Sequence, residues 1–455
     1  MRYIEETLKT PVTFECDVLV CGGGTAGFVA ALAAARNGAK TILVERFNAI
    51  GGSLTNGAGP IHSFFNVFKP FPGVEKKQVI EGIPQEIVER MMARNASYGH
   101  LEMERGGDYD SVITLIDWEV YKDVAFQMLE EDGVKVLLHT MVVGATTEDG
   151  AITGVIIENK SGRQVIAAKV VVDCTGDADV AYYAGANVVK THSQTAVGFP
   201  FSMANVDMRK YTDYAEEHGL IYQLITGDKG SETDDTIRIG VQLSKDPAFH
   251  DFMEKNHMWG PLGFSFHENY YTYINGCTKR DVDATNAEAV SEAEIELRHQ
   301  AMTWAQMMKD NLPGFEKAFV SWTPNCIGVR ATRIVECEHE MTVEEICNCQ
   351  RFEDEVMLYG FMDLAPKLMI KNGGYYGIPY GCFVPKKVDG LLVAGRLITS
   401  DFSAHMSTRN TGSCMAQGQA VGTAAALAAT EGVKPRDLDV QKLRAVLKEQ
   451  KVFLG

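Results

Sequence analysis

The segment Gly22-Gly23-Gly24-Thr25-Ala26-Gly27 fits the spacing G-x-G-x-x-G. The chemistry served by that spacing is phosphate binding through backbone. Gly22 permits a tight turn, Gly24 lets the chain approach a pyrophosphate, and Gly27 lets a helix pack closely on a strand. Thr25 and Ala26 open that helix, whose unsatisfied N–H groups and positive dipole end attract an anion. Glu45 follows Gly22 by 23 residues, with Arg46 beside it. A carboxylate at that distance accepts hydrogen bonds from both ribose hydroxyls of a dinucleotide and repels a 2′-phosphate.

Stepping outward, these residues need a strand, a turn, a helix and a second strand to hold them. CDVLVC (16–21), the glycine turn, FVAALAAARNGAK and TILVE supply those elements in that order, a βαβ unit within the first 45 residues. Residues 134–172 change character, with four short β-rich stretches separated by turn residues such as Glu148-Asp149-Gly150. A meander or small inserted sheet is expected there. The middle of the chain is irregular and rich in charge and aromatics, with one clear helix, ATNAEAVSEAEIELRHQAMTWAQMMKDN, stopped by Asn311-Leu312-Pro313-Gly314. Strand character returns at 391–395, followed by a small-residue helix to about 429.

Composition narrows the function classes. The chain has 455 residues, 45% hydrophobic and 23% charged, which is ordinary globular composition. Its 43 glycines exceed the usual share of about 7%. Nine of them fall in the first 59 residues, where backbone must approach a ligand. The net charge of −17 and the lack of any basic run argue against nucleic acid and anionic membrane surfaces as partners. No apolar stretch reaches the roughly 20 residues of a membrane span, and the start does not read as a secretion signal. Ten scattered cysteines then read as reduced thiols in the cytoplasm. Cys337, His339, Cys347 and Cys349 match neither zinc nor iron–sulfur spacing, so no metal is expected.

A second glycine pair, Gly51-Gly52, with Ser53 and Thr55 after it, resembles the arrangement in FAD-binding proteins of the glutathione-reductase-like superfamily. So do VVVDCTGDADVA with Thr175-Gly176, and GLLVAGR with Gly395-Arg396. With IGVRATRIV and STRNTGSCMAQGQAVGTAAALA, the whole set resembles the bacterial FAD-dependent oxidoreductase family, related to the fumarate reductase and succinate dehydrogenase flavoproteins. The resemblance implies non-covalent FAD and redox chemistry on a small organic substrate. Its implied cofactor contacts extend to Val143 in the meander and to Gly412, Ser413, Cys414 and Met415 at the start of the last helix. There the N–H groups would stabilise negative charge on the reduced flavin. Ala365, Glu336, Phe402 and His405 depart from the family's usual residues.

The expected fold is therefore α/β, a Rossmann-like FAD-binding domain with a β-meander, split in sequence (1–190 and 376–455), with an α+β cap or substrate domain at 191–375. Arg409 and His405 are the first candidates for substrate binding or proton delivery, against a loop-capping and a packing role respectively. Arg330 and Arg333, three apart, share a face if helical; they either clamp a substrate carboxylate or tie the cap to the FAD domain. His62 lies just past the glycine loop. The expected activity is an FAD-dependent dehydrogenase or ene-reductase acting on a small molecule, with hydride exchanged at flavin N5. Alternatives are an accessory electron-transfer flavoprotein subunit or a flavin monooxygenase. No cysteine pair follows Gly51-Gly52 and no second G-x-G-x-x-G occurs, which argues against a disulfide reductase and a separate NAD(P) domain. The electron donor or acceptor is unknown, and homo-oligomerisation stays open.

Overall fold

Residues 18–21 and 41–44 are apolar, largely β-branched and buried at every position, as strands covered on both faces must be. They form the centre of the main sheet in the computed structural model, which describes residues 3–57, 77–106, 112–191, 195–230, 235–256, 258, 260–365 and 367–455. Five strands run parallel in the order Lys135–Leu137, Thr41–Val44, Val12–Cys21, Gly162–Asp173 and Leu391–Val393. Gly162–Asp173 also pairs antiparallel with Ala151–Asn159, which pairs with Met141–Glu148, giving the expected meander.

Register is what makes this sheet a binding platform. Leu137, Val44, Cys21, Asp173 and Val393 lie in one row across the five parallel strands. The residues that follow them emerge together at the carboxyl edge, the place where open α/β sheets bind ligands.

Two helices cover one another over this sheet. Thr25–Arg36 is alanine-rich and buried along residues 26–34, and Thr411–Glu431 is buried along nearly its full length. Both are built mainly from small and apolar residues on all sides, as enclosed helices are, with Gln417 and Gln419 as buried polar exceptions in the second. Small residues allow the approach: a Cβ on Gly418 would stand 2.2 Å from the Ala26 carbonyl oxygen, and one on Gly422 would stand 2.2 Å from that of Ala30.

The chain leaves this core after Val188–Lys190 and returns at Arg333–Val335, two strands that pair antiparallel. Between them lies a six-stranded antiparallel sheet, in the order Ile221–Gly227, Asp235–Val241, Leu262–Phe264, Tyr270–Asn275, Phe201–Ala204 and Phe319–Trp322. The long helix expected in this region is Ala287–Asn311. Asn286 caps it by accepting from the N–H groups of Glu288 and Ala289. Its buried face (Ala293, Leu297, Ala301, Trp304, Met308) joins a second core, where Trp304 stacks on Phe252. Val335, Met341, Val356 and Tyr359 belong instead to the main core. Among the described residues no helix is long and apolar enough to cross a membrane. The architecture is α/β, as the sequence implied.

Candidate functional site

Beyond the carboxyl edge of the parallel strands opens a cavity of about 450 Å³. One wall is glycine backbone. Gly22 has φ +97°, and a Cβ there would meet the Cys174 carbonyl oxygen at 2.4 Å. Gly27 has no room either, since its Cβ would fall 1.8 Å from the Gly22 oxygen. Gly24 is different: a Cβ there meets nothing nearer than Gly52 Cα at 3.9 Å. The Gly51–Gly52 loop lies against this turn, with Gly51 N–H donating to the Gly23 carbonyl at 2.8 Å.

Glu45 follows the strand Thr41–Val44 and is 4% exposed. Its carboxylate accepts from Gly23 N–H at 2.6 Å and from Phe47 N–H at 2.8 Å, which fixes its direction. Burial raises the pKa of this carboxyl, and the two N–H donors partly offset the rise.

Asp173 holds the third strand end. It accepts from Thr175 N–H at 3.0 Å, Thr175 Oγ1 at 2.7 Å and Ala181 N–H at 2.9 Å, pinning the Thr175–Gly176 turn. Gly176 has φ +79° and lies against the Arg396 guanidinium. Arg396 pairs with Asp177 at 2.5 Å, and Asp177 also accepts from Thr332 Oγ1 at 2.8 Å. Burial pushes the Asp177 carboxyl up, but Arg396, Arg46 and these hydrogen bonds outweigh it and hold it below its ordinary value.

The opposite end of the cavity carries arginines. Arg409, 14% exposed at its side chain, pairs with Asp363 at 2.5 Å. Arg330 donates through Nη1 to the Ala196 carbonyl at 2.5 Å. Burial first, then the charge of Arg409, lowers the pKa of Arg330. His405 is 1% exposed and its Nε2 lies 3.0 Å from the Arg330 carbonyl oxygen, so that nitrogen carries the proton. Burial, with Arg409 next, pushes its pKa down to about 3, so the imidazole is neutral at physiological pH. The six-stranded sheet closes this end with Arg238, Leu262, Tyr273 and Asn275.

A family model described as FAD dependent oxidoreductase matches residues 17–447. The chain belongs to that family. It is 26% identical over 194 residues to digeranylgeranylglycerophospholipid reductase of Methanocaldococcus jannaschii, covering 42% of this chain and 46% of that one. It is 29% identical over 184 residues to vinyl phenol reductase of Lactiplantibacillus plantarum, covering 35% and 37%. The matches span less than half of either relative. A geranylgeranyl bacteriochlorophyll reductase-like structure from Thermoplasma acidophilum aligns over 96% of this chain and 84% of that one, at 16% identity and a TM-score of 0.47.

The cofactor of this FAD dependent oxidoreductase is FAD, and the cavity fits it. The helices Thr25–Arg36 and Thr411–Glu431 both present N-termini without a side-chain cap or an acidic first turn, and Thr25 and Thr411 both line the cavity. Two such ends suit a pyrophosphate and an electron-rich ring edge. The open space at Gly24 is where a side chain would block backbone approach.

Of the residues singled out in the sequence, Gly22, Gly24, Thr25, Ala26, Glu45, Arg46, Gly51, Gly52, Ser53, Thr175, Gly176, Arg330, Gly395, Arg396, Arg409 and Cys414 line this cavity. Gly27, Thr55, His405, Gly412, Ser413 and Met415 stand behind its wall; Thr55 Oγ1, for instance, donates to the Ile50 carbonyl. Val143, on a meander strand, is not on the wall. Arg333 pairs with Asp179 at 3.3 Å and lies over the Tyr182 ring, away from Arg330. His62 lies outside the described residues.

Sequence reasoning missed Gln417 and the sheet residues Tyr273 and Asn275; Asp177 stood in the VVVDCTGDADVA motif without a role of its own. Gln417 accepts from Gly395 N–H at 2.7 Å and donates to the Thr408 carbonyl at 2.7 Å, tying the last strand to the turn before the last helix. A buried amide inside an otherwise small and apolar helix was the signal available for it.

Proposed function

We propose that this oxidoreductase exchanges hydride between FAD, held non-covalently, and a small organic substrate at the arginine end of the cavity, in the manner of a dehydrogenase or ene-reductase. The observation that carries the reading is the continuity of one cavity. Glycine backbone and Glu45 form one end of it, and Arg330, Arg409–Asp363 and the six-stranded sheet form the other.

FAD, when bound, supplies the two-electron chemistry. The chain supplies placement and charge. The N–H groups opening Thr25–Arg36 and the bare backbone at Gly24 hold the pyrophosphate. Glu45, already aimed by Gly23 and Phe47, accepts from the ribose hydroxyls. The uncapped end of Thr411–Glu431 would lie at the flavin end of the cofactor and would favour negative charge there. Asp363 fixes the Arg409 guanidinium on the wall at the substrate end of the cavity.

Two outcomes test this. The purified protein is yellow, and under anaerobic conditions its reduced flavin is reoxidised by an α,β-unsaturated organic acid but not by the saturated counterpart. No response to any unsaturated or saturated acid in a panel rejects the reading. Oxygen incorporated into a product would instead indicate a monooxygenase.

Glu45→Gln is expected to weaken FAD binding about tenfold, because charge-assisted hydrogen bonds lose strength when the acceptor becomes neutral. In the parent, FAD affinity falls as pH drops through the raised pKa of Glu45, because the carboxylate is the form that accepts best. The variant has no such slope. Titration of apoprotein with FAD at several pH values measures both effects.

A further inference from the structure

Five arginine side chains line the cavity: Arg46, Arg238, Arg330, Arg396 and Arg409. Arg238 donates through Nη2 to Gln223 Oε1 at 3.0 Å. Arg46 and Arg396 share Asp177, at 3.9 and 2.5 Å, and Arg409 has Asp363. Arg330 has no ion pair among the described residues, and its hydrogen bond is to a neutral carbonyl, that of Ala196. A guanidinium taken out of bulk water without a carboxylate is costly, and the cost is relieved when an anion enters beside it. Its position is nonetheless well determined. Nη1 is fixed to Ala196, and His405 Nε2–H, on the short helix Phe402–Thr408, holds the Arg330 backbone carbonyl at 3.0 Å. Arg409, Tyr273 and Asp363 line the same end of the cavity and act on Arg330 electrostatically, but the Asp363 carboxylate is held in its ion pair with Arg409. A guanidinium that lines the cavity with no carboxylate in ion-pair reach among the described residues has the character of an anion site.

We propose that Arg330 is the anion-binding residue of the substrate pocket, that His405 positions it through its backbone, and that the substrate is an organic acid bound as its carboxylate. This rests on reading the arginine end of the cavity as the substrate pocket. The role of His405 is that of a positioning residue with a neutral ring: its Nε2–H is committed to Arg330 and it brings no second charge to the pocket.

Equilibrium binding tests the assignment without turnover. FAD-loaded protein is titrated with benzoate, and in parallel with benzamide as its neutral isostere, following the change in the flavin's visible absorption. Benzoate is expected to give a saturable change and benzamide none. In Arg330→Gln the benzoate dissociation constant is expected to rise roughly 10- to 100-fold, the range for losing a charge-assisted pair, with FAD affinity unchanged. Arg330→Lys, which keeps the charge without the planar fork, falls between the two. His405→Leu is expected to weaken benzoate, and His405→Gln, whose amide can still donate to the Arg330 carbonyl, to restore it.

Equal benzoate affinity in Arg330→Gln and the parent overturns the proposal, as does benzamide binding as tightly as benzoate. So does loss of FAD from both Arg330 variants, which would assign the guanidinium to the cofactor. Benzoate affinity unaffected by His405→Leu removes the positioning role. Because the readout uses oxidised flavin at equilibrium, protein that binds benzoate yet never exchanges hydride with an acid keeps this subsite and loses only the hydride reading.

Discussion

Gly24→Val is expected to yield a folded protein that does not retain FAD, and Gly27→Val a protein that does not reach the native fold. The two glycines are three residues apart in one turn, and their surroundings decide the difference. Gly24 has an extended backbone, φ −65° and ψ −176°, which any residue adopts. A Cβ there touches only Gly52 Cα at 3.9 Å, an ordinary contact. The valine side chain therefore enters the cavity and not the core, and occupies the space left for the pyrophosphate. An overlap of that kind costs about 3 kcal/mol, equivalent to roughly 100-fold in FAD affinity. At Gly27 the added carbon would lie 1.8 Å from the Gly22 oxygen and 3.0 Å from Cys174 Cβ. Gly22 cannot yield, because its N–H is bonded to the Val44 carbonyl at 2.8 Å and its own φ is +97°. Moving the helix off the strand would break the central packing of the sheet, a loss above about 4 kcal/mol against a total of roughly 5–15 kcal/mol. Circular dichroism melts with and without FAD separate the cases. A yellow Gly27→Val protein, or a Gly24→Val protein with parental FAD affinity, contradicts this account.

The first βαβ unit was legible because everything that specifies it is local. The apolar runs, the glycines and Glu45 lie within 30 residues, and each has a steric or hydrogen-bonding reason to sit where it does. The meander and the long middle helix were legible for the same reason: turn residues and periodic apolar positions mark them directly. The arginine end of the cavity was only half legible. Arg330 stood out by its spacing to Arg333, and Arg409 and His405 by their place before the small-residue helix, but the contacts that join them to Ala196, Asp363 and one another link separate parts of the chain. Tyr273 and Asn275 sit on one largely buried strand whose residues read like any core β segment, and only the sheet's placement over the cavity gives them a role.

Arg330 and Arg333 show how local reasoning depends on an element that was not certain. At helical spacing, residues three apart share a face. Here residues 328–332 are irregular and Arg333 opens a short strand, and in extended chain residues three apart point to opposite sides. One arginine accordingly lines the cavity while the other pairs with Asp179 and covers Tyr182.

The last block of sequence was the most specific part of the family resemblance, and its glycines carry a second expected result. Gly418→Ala should lower both stability and FAD affinity, whereas Gly422→Ala should lower mainly stability. Each added methyl meets backbone of the first helix at 2.2 Å, Ala26 oxygen in one case and Ala30 oxygen in the other. Main-chain carbonyls inside a helix cannot rotate away, so the helices must separate, at about 2–4 kcal/mol by analogy with other overpacked cores. Ala26 lies in the first turn of Thr25–Arg36 and lines the cavity, so a shift there moves the N–H groups proposed to hold the pyrophosphate. Ala30 lies one turn deeper, and a shift there is absorbed within the core. Because FAD binds the folded state, FAD at 100 times its dissociation constant should return about 2.7 kcal/mol of apparent stability. The melting temperature of Gly422→Ala should therefore recover on adding FAD almost as far as that of the parent rises, while Gly418→Ala recovers less at the same concentration. Equal recovery of the two variants would mean that the helix contact does not transmit to the site, and that the two cofactor-binding ends of the chain are held in register by the sheet alone.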